Sequence, residues 1–178
     1  MDRDISKIIA SEEAIEEKIK ELAEKINSDY KGKKFTVVGI LKGSVIFFAD
    51  LVRKIETDCQ MDFMAASSYG SSAVSSGEII IKKDLSLDVT GKDVLIIEDI
   101  LDTGNTLYLL KDYILKKGAA SVKICTLFEK PSRHIKPVKA DYVGFIVDDL
   151  FIVGYVLDYD EKYRNLPYVG VLKPEIYS

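Results

Sequence analysis

The sequence predicts an α/β fold, a single domain in which a twisted parallel sheet is flanked by helices. Two short apolar runs rich in β-branched residues, 35–41 and 94–97, are typical of strands buried on both faces, and a helix-like segment follows each of them. The segment 11–27 carries apolar residues at helical spacing. Buried strands that alternate with helices are the pattern of a parallel sheet covered on both faces.

The composition fits one globular domain and excludes several classes of function. Of the 178 residues, 47% are hydrophobic and 30% are charged, which is enough for a real core. The net charge of −4 argues against a nucleic-acid-binding surface. No apolar run is long enough to span a bilayer, and the N-terminus lacks the apolar core of a signal peptide. We therefore expect a cytoplasmic protein without membrane contact.

Cysteine and histidine are sparse. Cys59 and Cys125 lie in apolar, strand-like contexts, so we expect two buried free thiols, although a bridge between them stays open. His134 is the only histidine, which excludes a zinc site built from several histidines and a catalytic triad that needs a second one.

The segment 11–27 is predicted to be a packing helix. Ser11 has the character of an N-cap, and acidic residues follow it in the first turn. One face carries an apolar stripe formed by Ile15, Ile19, Leu22 and Ile26. We expect the charged residues of this helix to form a solvated face.

The later elements continue the alternation. Strand Phe35–Leu41 ends in the loop LKGS and leads into a helix from Val45 to about Ile55. A second helix opens near residue 102 and runs to about Lys117, and Gly118 ends it. The remaining strands are predicted at 59–66, 78–82, 94–97, 122–128, 141–145, 151–157 and 168–172.

The stretch VLIIEDILDTGNTL, residues 94–107, carries the strongest functional signal. Its strand is followed at once by Glu98 and Asp99, whose carboxylates can accept from a sugar diol or hold a hydrated Mg²⁺. Small and hydroxylated residues then open a helix, whose first N–H groups lack internal partners and suit a phosphate monoester. Phosphate, diol and divalent metal together describe a phosphorylated ribose.

The residues alone leave other interpretations of this stretch open. The acidic pair could be a solvated strand end, and Asp102 or Thr103 could be a plain N-cap. The glycine motifs of dinucleotide-binding and P-loop proteins are absent here, so both classes are excluded at this site. An acidic pocket like that of a phosphoacceptor receiver domain would need a carboxylate at the end of the first strand, where LKGS stands instead.

The stretch 94–107 resembles the phosphoribosyl-pyrophosphate (PRPP) motif of type I phosphoribosyltransferases, an apolar strand followed by two acids and D-T-G-x-T. The resemblance implies that Glu98 and Asp99 hold the ribose hydroxyls or their metal. It implies that Asp102 is the general acid/base at purine N7. The 5′-phosphate would be bound by Thr103, Gly104, Asn105 and Thr106. Relatives often carry Lys or Arg where this chain has Asn105, which bears on the charge beside that phosphate.

Other segments resemble the branch of this family that acts on 6-oxopurines, the hypoxanthine–guanine phosphoribosyltransferases. LKGS resembles their pyrophosphate loop, which implies that Lys42 and Gly43 bind pyrophosphate and that the Leu41–Lys42 peptide can be cis. Arg164 matches the arginine that contacts pyrophosphate. The serine-rich segment 67–77 is predicted to be a mobile loop, and its SSYG resembles the catalytic lid. The lid residues would be Ser68 and Tyr69, with a plain surface tyrosine as the alternative.

The same resemblance implies a purine site. Lys130 would donate to purine O6, Phe151 would stack on the ring, and the main chain of Ile152 would read the base edge. Asp158 matches the carboxylate that ligates a second Mg²⁺. From the residues alone, Lys130 could be an ordinary exposed lysine, Phe151 a core residue, and the segment around Asp158 a solvated loop. Many relatives have Pro-Asp where this chain has Asp-Asp at 148–149, a departure that bears on the geometry just before the stacking residue.

The resemblance covers nearly the whole chain from Phe35 onward and implies one domain, 1–178. A small hood, built from the C-terminal strands and the N-terminal segment, would carry the base site. The implied activity is purine salvage with Mg²⁺ as cofactor: hypoxanthine or guanine reacts with PRPP to give IMP or GMP and pyrophosphate. The family implies a homodimer or homotetramer and no nucleic-acid partner.

Two rivals stay open. One is a PRPP-binding regulator that also binds nucleic acid, for which a basic surface is expected. The other is a transferase for a different base, xanthine or a pyrimidine.

Overall fold

A computed structural model describes residues 2–68 and 79–178 of the chain. Within them, a sheet has the strand order β4-β3-β2-β5-β6-β7. Every neighbouring pair is parallel except β3 and β4, which are antiparallel at one edge. The mostly parallel sheet confirms the predicted α/β fold class. Its strands are β2 (Phe35–Leu41), β3 (Cys59–Ser68), β4 (Ile79–Lys83), β5 (Asp93–Leu101), β6 (Ser121–Glu129) and β7 (Tyr142–Ile146).

Helices cover both faces of this sheet because its central strands are apolar on both sides. The helices are α1 (Glu12–Asp29), α2 (Val45–Val52) and α3 (Asn105–Lys116), with a short α4 (Pro174–Tyr177) at the C-terminus. In β5, Leu95 and Ile97 pack in one core cluster with α1 and α2, while Val94 and Ile96 pack in a second cluster with α3. The alternation is the period of two expected of a strand. In the described part of the chain, no helix combines the length and the apolar character needed to cross a membrane.

The first helix forms as predicted. The Ser11 hydroxyl accepts a hydrogen bond from the Ala14 N–H at 3.2 Å, so it caps the helix. The predicted apolar stripe is buried at all four positions, Ile15, Ile19, Leu22 and Ile26. The end of α3 also agrees with the sequence, because Gly118 adopts φ +93° just after the helix.

A second, smaller sheet joins the two ends of the chain. Its strands are antiparallel in the order β1-β9-β8, with β1 (Ile5–Ala10), β8 (Ile152–Val153) and β9 (Val169–Leu172). The N-terminal segment is also bound to the C-terminal one by the Lys173 N–H, which donates to the carbonyl of Asp4 at 2.9 Å. This sheet contains the segments from which the hood was predicted.

Four predicted boundaries are wrong by three residues or more. Helix α3, expected to open near residue 102, begins at Asn105, because Gly104 at φ +81° is its N-cap residue. The strand predicted at 151–157 stops at Val153, because positive φ values at Gly154, Tyr155 and Val156 turn the chain back. Strand β5 does not end before the acidic pair but continues through it to Leu101, so both acids are held in regular sheet. Helix α2 ends at Val52, and the segment after it is a turn.

Both cysteines are free thiols, as predicted. Cys125 is fully buried, but Cys59 at the start of β3 is only half-buried, so the prediction of two buried thiols is wrong for Cys59. The predicted lid falls outside the described residues: the structure does not describe Tyr69, the rest of residues 69–78 or the side chain of Ser68.

A buried carboxylate holds the edge of the sheet together. Asp62 on β3 is 6% exposed and accepts hydrogen bonds from the N–H groups of Ser86 at 2.6 Å and Leu87 at 2.9 Å. Lys83 at the end of β4 forms an ion pair with it at 3.4 Å. Burial raises the pKa of Asp62, but the hydrogen bonds from Leu87, Phe63 and Ser86 outweigh this effect, so the pKa lies below its ordinary value.

We expect Asp62→Asn to lower the free energy of unfolding by about 2 kcal/mol at pH 7, because one acceptor is lost and the buried charge-assisted bonds are weakened. A carboxylate with a depressed folded-state pKa contributes stability above its unfolded pKa of about 4 and loses it as pH falls through the folded value. Urea titrations of wild type and variant should therefore converge between about pH 4 and pH 2. Asp58→Asn is the control, because Asp58 is exposed and its ion pair with the exposed Lys34, at 3.7 Å, is long and screened by solvent. A difference that persists at pH 2 contradicts the role of the charge.

Candidate active site

Two adjoining clefts lie at the carboxyl edge of the parallel strands. The larger, of about 400 Å³, is lined by the end of β2, by β5, by the loop before α3, and by Asp158 and Arg164. The smaller, of about 270 Å³, is lined by Lys130, Phe151, Ile152 and Leu157. The clefts share four lining residues, which are Asp99, Ile100, Asp102 and Asp158. Two ligands bound in these clefts would therefore meet beside Asp102.

The loop before α3 presents the open N-terminal turn of a helix to the larger cleft. Gly104 is the N-cap residue at φ +81° and has no side chain to cap the helix, but the Thr103 hydroxyl accepts a hydrogen bond from the Asn105 N–H at 3.4 Å. The N-cap position therefore belongs to Gly104 and not to Asp102 or Thr103, although Thr103 satisfies one N–H at the helix start. A Cβ at position 104 would lie 2.7 Å from Val138, so both the conformation and the packing require glycine here. The side-chain oxygen of Asn105 is buried without a hydrogen-bond partner among the described residues. The N-terminal turn of α3 lines the larger cleft, and the positive end of its dipole suits an anionic group.

The acidic pair lies half-buried on the floor of the larger cleft. The Asp99 N–H donates to Glu98 at 3.1 Å, and the Ile100 N–H donates to Asp99 at 2.6 Å. Burial raises the pKa of Glu98 well above its ordinary value, and the neighbouring charge of Asp99 raises it further. Burial also raises the pKa of Asp99, against opposing hydrogen bonds from Glu98 and the Ile100 N–H. Two adjacent carboxylates in this environment favour cationic or hydroxyl-bearing ligands.

The lysine loop packs directly on this pair. The Leu41–Lys42 peptide bond is cis, as the resemblance allowed. A Cβ at position 43 would overlap the Asp99 carboxylate, so Gly43 is the residue that lets the loop approach. The side chain of Lys42 is exposed and does not line either cleft, and its ammonium lies 3.2 Å from Glu161.

Arg164 brings a second cation to Glu161. Its guanidinium pairs with Asp158 at 2.8 Å and donates to the carbonyl of Val156 at 2.7 Å. It also lies 3.3 Å from Glu161. Lys42 and Arg164 are 122 residues apart in the sequence (164 − 42), and the fold places both beside one carboxylate. Glu161 is a neighbour that our sequence analysis missed.

Lys130 and Phe151 define the smaller cleft. Lys130 is 8% exposed, so it is not an ordinary surface lysine, and its ammonium donates to the carbonyl of Leu150 at 2.7 Å. Burial lowers its pKa. Phe151 is 37% exposed, so it is not a core residue. Its ring stacks on Tyr177 with centroids 4.6 Å apart and meets the edge of Tyr159 at 5.6 Å.

Arg133 contacts Asp102 and is a second site residue that was not predicted from the sequence. Arg133 donates from Nε to the Asp102 carboxylate at 2.6 Å and from Nη1 to Asp149 at 3.1 Å. It thereby links the loop after β5 to the segment that precedes Phe151. The available signal was its place three residues after Lys130, at the end of the same strand–turn segment. Asp149 belongs to the unusual Asp-Asp pair and has this arginine as its partner.

The donor atoms of the larger cleft fit a magnesium ion that a phosphate ligand also binds. In the described ranges, no group of three or more His, Cys, Asp or Glu side chains is arranged to hold a metal by itself. Glu98, Asp99 and Asp158 nonetheless line one cleft, and all three supply carboxylate oxygens. Mg²⁺ typically takes only one or two protein carboxylates and completes its shell with water and substrate phosphates. The set is compatible with that mode of binding.

The structure thus gathers the predicted positions of the PRPP and purine sets at one edge of the sheet, and the roles assigned to them stay predictions. The PRPP loop, the acidic pair and Arg164 line the larger cleft, and the purine set lines the smaller one. Lys42 does not line either cleft, unlike Gly43, the next residue of its loop. The lid residues are outside the described part of the chain.

Known proteins are similar to this chain in both sequence and fold. Residues 6–160 match the family described as "Phosphoribosyl transferase domain". The chain is 53% identical over 178 residues to the hypoxanthine-guanine phosphoribosyltransferase of Streptococcus thermophilus, covering 99% of that protein. It is also 53% identical to the bifunctional protein TilS/HprT of Listeria innocua, but spans only 28% of that protein's length. A crystal structure of a hypoxanthine phosphoribosyltransferase from Staphylococcus aureus superposes with a TM-score of 0.97 at 47% identity, covering 100% of this chain and 97% of that one.

Proposed function

Because this chain belongs to the phosphoribosyltransferase family, we propose that it transfers the 5-phosphoribosyl group of PRPP to hypoxanthine or guanine. The products would be IMP or GMP and pyrophosphate, a purine salvage reaction. The observation that carries this proposal is the pair of adjoining clefts that share Asp102 and Asp99. One cleft has the character of a site for an anionic sugar, and the other has an aromatic ring and a buried ammonium suited to a flat heterocycle.

The larger cleft would hold the donor. The N-terminal turn of α3 and the hydroxyls of Thr103 and Thr106 would bind the 5′-phosphate. Glu98 and Asp99 would accept hydrogen bonds from the ribose hydroxyls or hold their metal. As the bond from C1 to pyrophosphate breaks, positive charge develops on the ribose and negative charge on the leaving group. Lys42, its loop N–H groups and Arg164 would stabilise the latter.

The smaller cleft would hold the base, with the small sheet as the predicted hood. Phe151 would stack on the purine face, a contact worth about 1–3 kcal/mol in comparable sites. The Lys130 ammonium would donate to O6, which adenine cannot accept because it carries an amino group there. Asp102 would exchange a proton with N7, so that N9 attacks C1 as the nucleophile. The lid assigned to Ser68 and Tyr69 would exclude water from the ribose cation.

Magnesium would be held by the carboxylates of Glu98 and Asp99, and a second ion by Asp158. When bound, Mg²⁺ neutralises charge that develops on the pyrophosphate oxygens. The donor set supports this assignment, since these carboxylates line the cleft that would hold the phosphates.

We also propose a cytoplasmic homodimer or homotetramer. Free thiols at Cys59 and Cys125 fit a reducing compartment. The helix that follows the lysine loop exposes apolar side chains at Val45 and Ile46, and β3 exposes Met61. Exposed apolar residues of this size are common in subunit contacts. Sedimentation equilibrium measures the number of subunits, and a strictly monomeric protein would refute this part of the proposal.

The test of the activity is a turnover assay with a panel of bases. Purified protein is incubated with PRPP, Mg²⁺ and hypoxanthine, guanine, xanthine, adenine or uracil, and nucleotides are separated by chromatography. We expect IMP and GMP with matching amounts of pyrophosphate and little AMP. Chelation of the metal should slow the reaction by about 100-fold or more. Failure to consume any base, or a preference for adenine or a pyrimidine, contradicts the proposal. A shift of RNA or DNA in a gel would favour the regulatory rival.

A further inference from the structure

Glu161 is placed where one carboxylate oxygen contacts two cations. Its Oε2 lies 3.2 Å from the ammonium of Lys42 and 3.3 Å from the guanidinium of Arg164. The two cations come from different parts of the fold, one from the loop after β2 and the other from the C-terminal segment. A single oxygen bridging two cations reproduces the contact that one oxygen of a diphosphate group would make.

The position of Glu161 follows from a tight turn. Its N–H donates to the Asp158 carboxylate at 2.9 Å, and its backbone has φ +60°. The other oxygen of Asp158 pairs with Arg164 at 2.8 Å. Asp158 therefore fixes both the backbone that carries Glu161 and one of the two cations that Glu161 contacts, so the three groups form one unit.

We propose that Glu161 is a further residue of the donor site, which sets the affinity for PRPP and pyrophosphate by competing for Lys42 and Arg164. The inference rests on the proposed function, in which these two cations bind pyrophosphate. When the diphosphate binds, the Glu161 carboxylate leaves the cations and turns to solvent. When pyrophosphate departs after the reaction, the carboxylate returns to them.

The exposure of the groups decides how strong this competition is. The side chains of Lys42 and Glu161 are 70% and 63% exposed, so water and salt screen their interaction. Such a pair weakens diphosphate binding without preventing it, because a diphosphate carries several charges and forms more contacts. Because the ion pair is weak, the Glu161 carboxylate can leave the two cations and return to them on each turnover. Glu161 would lower the affinity of the protein for PRPP and, by the same amount, its affinity for pyrophosphate.

The experiment is a binding titration with a matched charge control. The dissociation constants of PRPP and of pyrophosphate are measured calorimetrically with Mg²⁺ for wild type, Glu161→Gln and Asp160→Asn. Both variants remove one negative charge from the same turn, but Asp160 pairs with Lys162 at 3.2 Å and not with Lys42 or Arg164. We expect Glu161→Gln to bind both ligands about three- to tenfold more tightly, and Asp160→Asn to change each constant by less than about twofold.

IMP is the second control, since it carries the 5′-phosphate and base but no diphosphate. Its dissociation constant should not change in Glu161→Gln. Weaker PRPP binding by this variant would mean that Glu161 orients the cations rather than competing for them, and would overturn the inference. Equal tightening in Asp160→Asn would reduce the effect to net charge and overturn it too. Wild-type protein that binds neither PRPP nor pyrophosphate would refute the proposed function itself, whereas normal wild-type binding with an unchanged Glu161→Gln would refute only the role of Glu161.

Discussion

Replacement of Asp102 with asparagine is expected to lower kcat by about 10²- to 10⁴-fold while the dissociation constant of PRPP changes by less than about threefold. Asp102 lies in the wall shared by the two clefts, where the base and the sugar would meet. Asparagine keeps the size of the side chain and an oxygen that can accept from Arg133, which donates to Asp102 at 2.6 Å. The substitution therefore removes proton transfer but leaves the loop in place.

The control for this substitution is Asp149→Asn. Asp149 shares the partner Arg133 with Asp102, at 3.1 Å, but does not line either of the two clefts. Loss of this ion pair tests whether rearrangement of Arg133 alone changes the rate. Single-turnover kinetics with saturating PRPP and base separate the chemical step from product release. The assignment is wrong if Asp102→Asn retains wild-type kcat, or if Asp149→Asn reduces kcat as much.

The elements that the sequence predicts well are those that local physics determines. The run of seven residues in β2 matches the predicted strand in both bounds, because it is apolar except for Thr36 and is bounded by Lys34 and Lys42. Ser11 caps α1, and Gly118 ends α3, each through a conformation that its own residue type favours. The segment 94–107 belongs to this class in part: its strand and its glycine-containing helix start are contiguous in the chain and both form, but β5 continues through the acidic pair and α3 begins at Asn105.

The features that the sequence does not predict depend on contacts between distant segments or on unusual backbone. The strand expected at 151–157 stops early because non-glycine residues, Tyr155 and Val156, adopt positive φ, which tertiary packing imposes. Arg133 and Glu161 are charged residues in polar surroundings, and nothing in their neighbourhood distinguishes them from solvated side chains. Only the folded chain places one beside Asp102 and the other between Lys42 and Arg164.

The aromatic contact at the smaller cleft also joins segments that are distant in the sequence. Phe151 and Tyr177 are 26 positions apart (177 − 151) and come together because α4 follows β9, which pairs with β8 beside Phe151. The stacked ring covers part of Phe151. The purine would use the remaining surface, which faces the cleft with Lys130 and Ile152.

Replacement of Lys130 with methionine is expected to raise the KM of hypoxanthine and guanine by about 10- to 100-fold, with the dissociation constant of PRPP changed by less than about twofold. A hydrogen bond from an ammonium to the base carbonyl would be lost, and such charge-assisted bonds are stronger than neutral ones. Methionine matches the lysine stem in length, so the packing around this buried side chain is largely kept.

Lys130 also has a structural contact, which gives its ammonium a second role. Its ammonium donates to the carbonyl of Leu150, directly before Phe151, so the same group supports the stacking residue and would read the base. Lys139→Met, at an exposed position away from both clefts, controls for the loss of a positive charge.

Discrimination between bases separates these two roles of Lys130. If the ammonium reads O6, its removal relieves the clash of donors with adenine, and the ratio of kcat/KM for hypoxanthine to that for adenine falls by about tenfold or more. If Lys130 only supports the segment before Phe151, both bases lose affinity together and the ratio stays constant. An unchanged KM for all bases would show that the buried ammonium takes no part in recognition, and it would leave the preference for 6-oxopurines without its proposed physical cause.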